Sequence, residues 1–166
     1  MRTFIIDAFT DKPYSGNPAG VCLLDYKLTD NLMLNIAREI NYSETAFLLR
    51  QNNIYSLRWF TPKNEVNLCG HATLATAHVL YEIGLHGIDK QIQFDTKSGV
   101  LTARIANKMI ELNFPQLFVD ECESNEIIEK AFDIMPRFIG KNEKRYLIEI
   151  DSVEKLKQIK PDFHLL

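Results

Sequence analysis

Cysteine is scarce in this 166-residue chain: Cys22, Cys69 and Cys122 are the only three. An odd number at wide spacing gives neither a disulfide framework nor a zinc-ligand pattern, and it fits a reducing cytoplasm. Also missing is any run of about 18 apolar residues, so no segment reads as a membrane span. Positive charge is not in excess. Lys plus Arg number 19 against 22 acidic residues, for a net charge of -3. A protein that grips a nucleic-acid backbone needs a basic face, so that class is set aside. The N-terminal apolar run meets Asp7 and Asp11 at once, too early for the uncharged core of a secretory signal. What is present is an ordinary globular composition, 46% apolar and 25% charged. That is enough to bury a core.

Residues Thr3–Phe9 are β-branched and aromatic and read as a strand. Asp11–Gly20, with two prolines and two glycines, reads as a loop, and Val21–Leu24 as a second strand. Thr29 or Asp30 can cap a helix over 30–40 whose buried face would carry Leu32, Ile36 and Ile40. Thr45–Leu49 and Tyr55–Thr61 read as strands joined through Gln51-Asn52-Asn53, and Thr61–Glu65 as a turn. Residues 71–83, HATLATAHVLYEI, differ in kind. Apolar positions go all the way round and Glu82 is the only charge, so the spacing predicts a helix buried on every side, with Leu74 and Leu80 in the core. Gly84 suits its C-terminal cap. Three more strands, Gln91–Asp95, Val100–Ile105 and Met109–Phe114, are linked by turns at Lys97-Ser98-Gly99 and Asn107-Lys108. The expected class is α+β, a sheet rolled around one central buried helix.

Pro115 and the acidic stretch Asp120–Glu123 mark a boundary, dividing the chain into 1–114 and 115–166. The second part offers a short helix (Asn125–Phe132), one strand (Arg145–Ile150), a charged helix (Val153–Lys160) and an apolar tail ending Phe163-His164-Leu165-Leu166. One strand does not close a domain, so this unit is expected to be unfinished.

Two segments could carry chemistry. In Asn41-Tyr42-Ser43-Glu44-Thr45, a carboxylate sits between hydroxyl residues at the mouth of a strand. It could act as acid or base if burial raised its pKa, or be a solvated loop glutamate. Leu68-Cys69-Gly70-His71-Ala72-Thr73 opens the buried helix. Free backbone N–H groups and the dipole there suit a carboxylate or phosphate, and Gly70 admits close approach. The dipole disfavours an imidazolium at His71 and would favour a thiolate at Cys69. A cap of small residues with a satisfied core histidine is the plain alternative. His78, His86 and His164 have no acid or cysteine beside them and read as structural or exposed.

Phe9-Thr10, Gly16-Asn17-Pro18-Ala19-Gly20-Val21, Ser43-Glu44-Thr45-Ala46-Phe47, Arg58-Trp59-Phe60-Thr61-Pro62 and Glu65–Thr73 together resemble the phenazine biosynthesis PhzF-like family, in order, from residue 1 to about 114. Residues 115–166 resemble the start of that family's second domain. The resemblance implies the diaminopimelate epimerase fold: two similar domains, each a sheet around a central helix, with the active site between them. It implies a cofactor-independent isomerase in which Glu44 moves a proton on a small carboxylated metabolite and His71 positions or relays it. Asn17, Ser43, Cys69, Gly70 and Ala72 would lie at the substrate, with no metal. In the epimerase cousins a cysteine at this helix start is a thiol base, so Cys69 could serve that role instead.

The family's second half carries an Asp-Pro-x-Thr-Gly-Ser type segment and a further aspartate, and neither is in these 166 residues. The expectation is a truncated product or fragment, or a half-enzyme that uses a partner. A non-catalytic binding or assembly module is the competing reading. Uncovered sheet edges and the apolar tail lead us to expect a homodimer using residues beyond about 115 and the cleft around Glu44, with weak or no turnover by the chain alone.

Overall fold

Strand alternation and one almost wholly apolar helix build the first of two units, Met1–Pro115. The computed structural model describes residues 1–143 and 145–165, so Leu166 of the apolar tail lies outside the described residues. The first unit runs β1 (Arg2–Ala8), β2 (Asn17–Leu24), α1 (Asp30–Ile40), β3 (Thr45–Gln51), β4 (Ile54–Phe60), β5 (Glu65–Val66), α2 (Gly70–Glu82), β6 (Ile92–Thr96), β7 (Gly99–Ala106) and β8 (Met109–Asn113). They form one mixed sheet in the order β1-β2-β3-β4-β6-β7-β8, with β5 added on β4. Only β2–β3 and β4–β6 are parallel pairs, and parallel neighbours need a crossover. Those crossovers are α1 and α2. Because the β3–β4 hairpin reverses strand direction, two crossovers of the same hand put their helices on opposite faces.

The side chains obey that geometry. Val21, Leu23, Ala46, Leu48, Leu57 and Trp59 pack with α2 in the main core. The alternate residues Cys22, Phe47 and Phe60 pack with Met33 and Ala37 of α1 in a second layer. Strands β2 and β3 are therefore buried on both faces and read as continuous apolar runs. The opposite ends of the sheet, β1 and β8, both contact α2. The sheet is curled around that helix.

Sequence and structure part at several points. Strand β2 starts at Asn17, not Val21, because Asn17–Gly20 pair with Ile5–Ala8. Pro18 is tolerated there because pairing with β3 begins only at Gly20. Gly16 closes the shortened loop at φ 81, where a Cβ would meet the Ala8 carbonyl oxygen at 2.3 Å. Helix α1 is capped by Thr29 as expected. Its buried line is Met33 and Ala37, however, and Leu32 is exposed; Ile36 and Ile40 only flank that line. Glu65 belongs to a two-residue strand rather than a turn.

Helix α2 is not buried on every side. Leu80 is 0% exposed, but Leu74 is half-buried and His78 and Glu82 are open, one line at i, i+4 and i+8. β1 and β8 do not pair with each other, so the wrap stays open along that line. Its buried threonines are satisfied locally. Thr73 Oγ1 donates to the Cys69 carbonyl at 2.6 Å and Thr76 Oγ1 to that of Ala72 at 2.7 Å. Gly84 takes the left-handed conformation just past the helix, at φ 68.

The second unit, from Gln116 on, holds β9 (Asp120–Glu121), α3 (Glu126–Phe132), β10 (Phe138–Lys141), β11 (Tyr146–Glu149) and α4 (Val153–Gln158). Three antiparallel strands lie in the order β11-β10-β9, where the sequence suggested one. Two acidic residues and a four-residue strand containing Gly140 carry too little alternation to be read. Helix α3 buries Ile128 and Ala131, whereas α4 buries nothing and ends at Gln158.

Helix burial sets a test. Leu80→Ala is expected to cost about 2–5 kcal/mol of unfolding free energy, and Leu74→Ala about 1 kcal/mol or less, both read by chemical denaturation. Equal costs would contradict the open-sided wrap.

Candidate active site

Local structure brings two distant segments together. Helix α1 ends at Asn41, left-handed at φ 57, with its N–H on the Ala37 carbonyl. The chain turns and reaches β3 through Tyr42-Ser43-Glu44. The Glu44 carbonyl accepts the Gly20 N–H at 3.3 Å, which ties this approach to β2. Glu44 shares strand parity with Ala46 and Leu48, both in the α2 core, so alternation directs it to the helix side.

The second segment arrives through β5. Thr45 pairs with Phe60, and Phe60 with Glu65, so the start of β3 and the lead-in to α2 share one end of the sheet. Charge holds β5 in place. Arg58 forks onto Glu65 with two bonds of 2.7 Å and reaches Asp30 at 2.8 Å. Lys97 also pairs with Glu65, and Ser98 Oγ donates to the Asn67 carbonyl at 2.8 Å. The Arg58 fork pulls the Glu65 carboxyl below its usual range against a smaller cost of burial, and Lys97 adds to that pull. The sequence marked Arg58 and Glu65 only within the resembling motifs and Lys97-Ser98 only as a turn; their ion pairing, which also draws in the distant Asp30 and Lys97, was not legible there.

The result is a cluster around His71, in the first turn of α2. Its Nε2 lies 3.3 Å from Ser43 Oγ and 3.5 Å from Glu44 Oε2. Its Nδ1 lies 3.5 Å from Cys69 Sγ. The side chains of His71 and Glu44 are 9% and 22% exposed, so the pair is largely screened yet reachable. A carboxylate and an imidazole in this arrangement can hold and pass a proton. Among the described residues, Glu44, Cys69 and His71 also offer one ligand atom each within 4.8 Å of one another, a group that could hold a metal ion. Glu44 and Cys69 face opposite ring nitrogens, and one ion takes only one of them.

The other candidates fall in different places. Gly70 is exposed, and a Cβ on it would meet nothing within 4 Å. Neither packing nor a positive φ requires glycine there; the space in front of it is open. Ala72 is 0% exposed, so only its backbone could face a ligand, and its N–H already favours the Cys69 sulfur. Asn17 is exposed at the start of β2 on the parity of Ala19, with no hydrogen bond to Glu44 or His71 among the described residues. Ser43 lies against His71. The thiolate expected at Cys69 is corrected: burial pushes its pKa up to about 11, the Ala72 N–H offsets this in part, and the Glu44 charge adds to the rise. Desolvation outweighs the dipole.

Comparison with known proteins places the chain in a family. The family model described as phenazine biosynthesis-like protein, PhzC-PhzF, matches residues 6–166. A protein named an uncharacterized isomerase, from Halalkalibacterium halodurans, is 48% identical over 165 residues, 98% of this chain and 62% of its own length. A crystal structure of a phenazine biosynthesis PhzF-family protein from Enterococcus faecalis superposes with a TM-score of 0.90 at 35% identity, over 99% of this chain and 62% of that one. The structure of a predicted epimerase from Pseudomonas aeruginosa shares the fold, with a TM-score of 0.67 at 21% identity over 97% of this chain and 63% of that one. The chain thus spans about three fifths of the length of the relatives it matches (62% of the first two).

Proposed function

Because this chain belongs to the phenazine biosynthesis-like family, we propose that it carries the proton-transfer half of an isomerase site, with Glu44 as acid and base. The observation that carries this reading is the Glu44–His71 pair, 3.5 Å apart at the N-terminus of the buried helix. In the proposed reaction Glu44 takes a proton from a carbon of a small carboxylated metabolite and returns it to another carbon. The substrate is isomerised with no net change in atoms or electrons, and no cofactor is called for. His71 steadies the carboxylate and relays the proton. The open backbone at Gly70, at the positive end of α2, holds the substrate carboxylate, while Asn17 and Ser43 border it.

The isomerase name of the Halalkalibacterium relative supports this reading. A thiol base at Cys69 is the weaker alternative, because a buried thiol with a pKa near 11 is a poor source of thiolate at neutral pH. The three free cysteines suit a cytoplasmic setting.

Deuterium uptake from heavy water into a panel of small carboxylates, read by mass spectrometry, tests the role of Glu44. Uptake is expected from the 166-residue chain, falling at least tenfold in Glu44→Gln. Gly70→Ala should change stability by no more than about 1 kcal/mol yet remove the carboxylate-induced amide shifts of residues 70–72. Undiminished uptake by Glu44→Gln would refute the assignment.

We extend the proposal to a homodimer. Leu117, Phe118, Met135, Leu147, Leu156 and Phe163 are all exposed in the small second unit, and soluble monomers seldom leave so much apolar surface open. Light scattering should give twice the monomer mass; a stable monomer at tens of micromolar, roughly where weak self-association begins to show, would contradict the dimer.

A further inference from the structure

The mechanism leaves Cys69 without a task, although it is 6% exposed and in contact with the His71 ring. We infer that Cys69 is a positioning residue that fixes the tautomer of His71: its S–H donates to Nδ1, so that the ring presents Nε2–H to Ser43 and Glu44. This rests on the reading above only for its use in catalysis. The tautomer itself follows from the contacts.

A neutral imidazole has one N–H and one lone pair, and which nitrogen holds the proton depends on the partner of each. On the Nε2 side stand Ser43 Oγ at 3.3 Å and Glu44 Oε2 at 3.5 Å. An ionised carboxylate only accepts, so this side calls for an N–H. On the Nδ1 side stands Cys69 Sγ at 3.5 Å, in a buried contact. Sulfur is a weak acceptor, while a protonated thiol is a donor. Burial keeps this thiol protonated at neutral pH. Both sides therefore select Nε2–H. The reverse tautomer would aim a lone pair at a carboxylate and ask sulfur to accept. The thiol is also well placed to hold the ring still. Cys69 is the N-cap of α2, and its carbonyl is bonded by Thr73 Oγ1 at 2.6 Å. Truncating it leaves a buried Nδ1 without a donor and frees the ring to exchange tautomers.

Nitrogen-15 NMR of the histidine rings in the labelled 166-residue chain at neutral pH reads this directly, with no substrate needed. The wild type should show a protonated Nε2 and an unprotonated Nδ1 at His71. Cys69→Ser, which keeps a donor, should retain that pattern, and Cys69→Ala should raise the Nδ1–H fraction several-fold while exposed His78 is unchanged. If Cys69→Ala does not fold, Cys69→Val, also without a donor, takes its place. A wild-type His71 protonated on Nδ1 would overturn the inference, as would an unchanged tautomer in the donor-less variant. The outcome is independent of Glu44→Gln: a fixed tautomer with undiminished deuterium uptake would sink the isomerase reading alone.

Discussion

Enclosure of α2 by the curled sheet is the constraint on which the rest of the first unit depends. A helix with nine buried residues cannot be rotated or slid without exposing apolar surface, at about 25 cal/mol per Å². Its N-terminus is therefore held at one place and in one orientation. Everything in the cluster follows from that. His71 is buried because it is in the first turn of an enclosed helix, and Cys69 is desolvated because it caps the same end.

The partner segment is delivered by strand register rather than by helix packing. Thr45, Phe60 and Glu65 lie in a row across β3, β4 and β5, so Glu44 and the chain entering α2 come to one end of the sheet. Glu65 is held there by Arg58 and Lys97. This pairing is partly buried and bidentate, the geometry in which an Arg–carboxylate contact is worth more than an exposed ion pair. Within the cluster, burial and dipole act in opposite senses on Cys69, and burial prevails. A helix N-terminus favours a thiolate only where solvent or a counter-charge shares the cost, and here the nearest charge is the carboxylate of Glu44, of the wrong sign.

Much of this was legible in the sequence, for physical reasons. The order of strands and helices follows from β-branched runs, turn residues and a cap such as Thr29, which act locally. Glu44, Gly70 and His71 stand out because a carboxylate at a strand mouth and a Gly-His turn before an apolar helix are unusual in composition. What escaped depends on distance. The short strands β5, β9 and β10 exist only through their partners. The open line of Leu74, His78 and Glu82 depends on where a sheet stops, and the buried face of α1 shifted by one residue because Met33 and Leu32 are equally apolar. The state of Cys69 needed burial, which spacing alone does not reveal. No helix of the described residues is long and apolar enough to cross a membrane.

The central claim is that Glu44 and His71 interact as a unit at the enclosed end of α2. A double-mutant cycle on unfolding free energy, with Glu44→Gln, His71→Asn and the double variant, tests it most directly. The account predicts a coupling between the two sites of at least about 0.5 kcal/mol, because residues in contact do not contribute independently. Losses that add to within about 0.3 kcal/mol would place the two side chains outside one another's reach and contradict it.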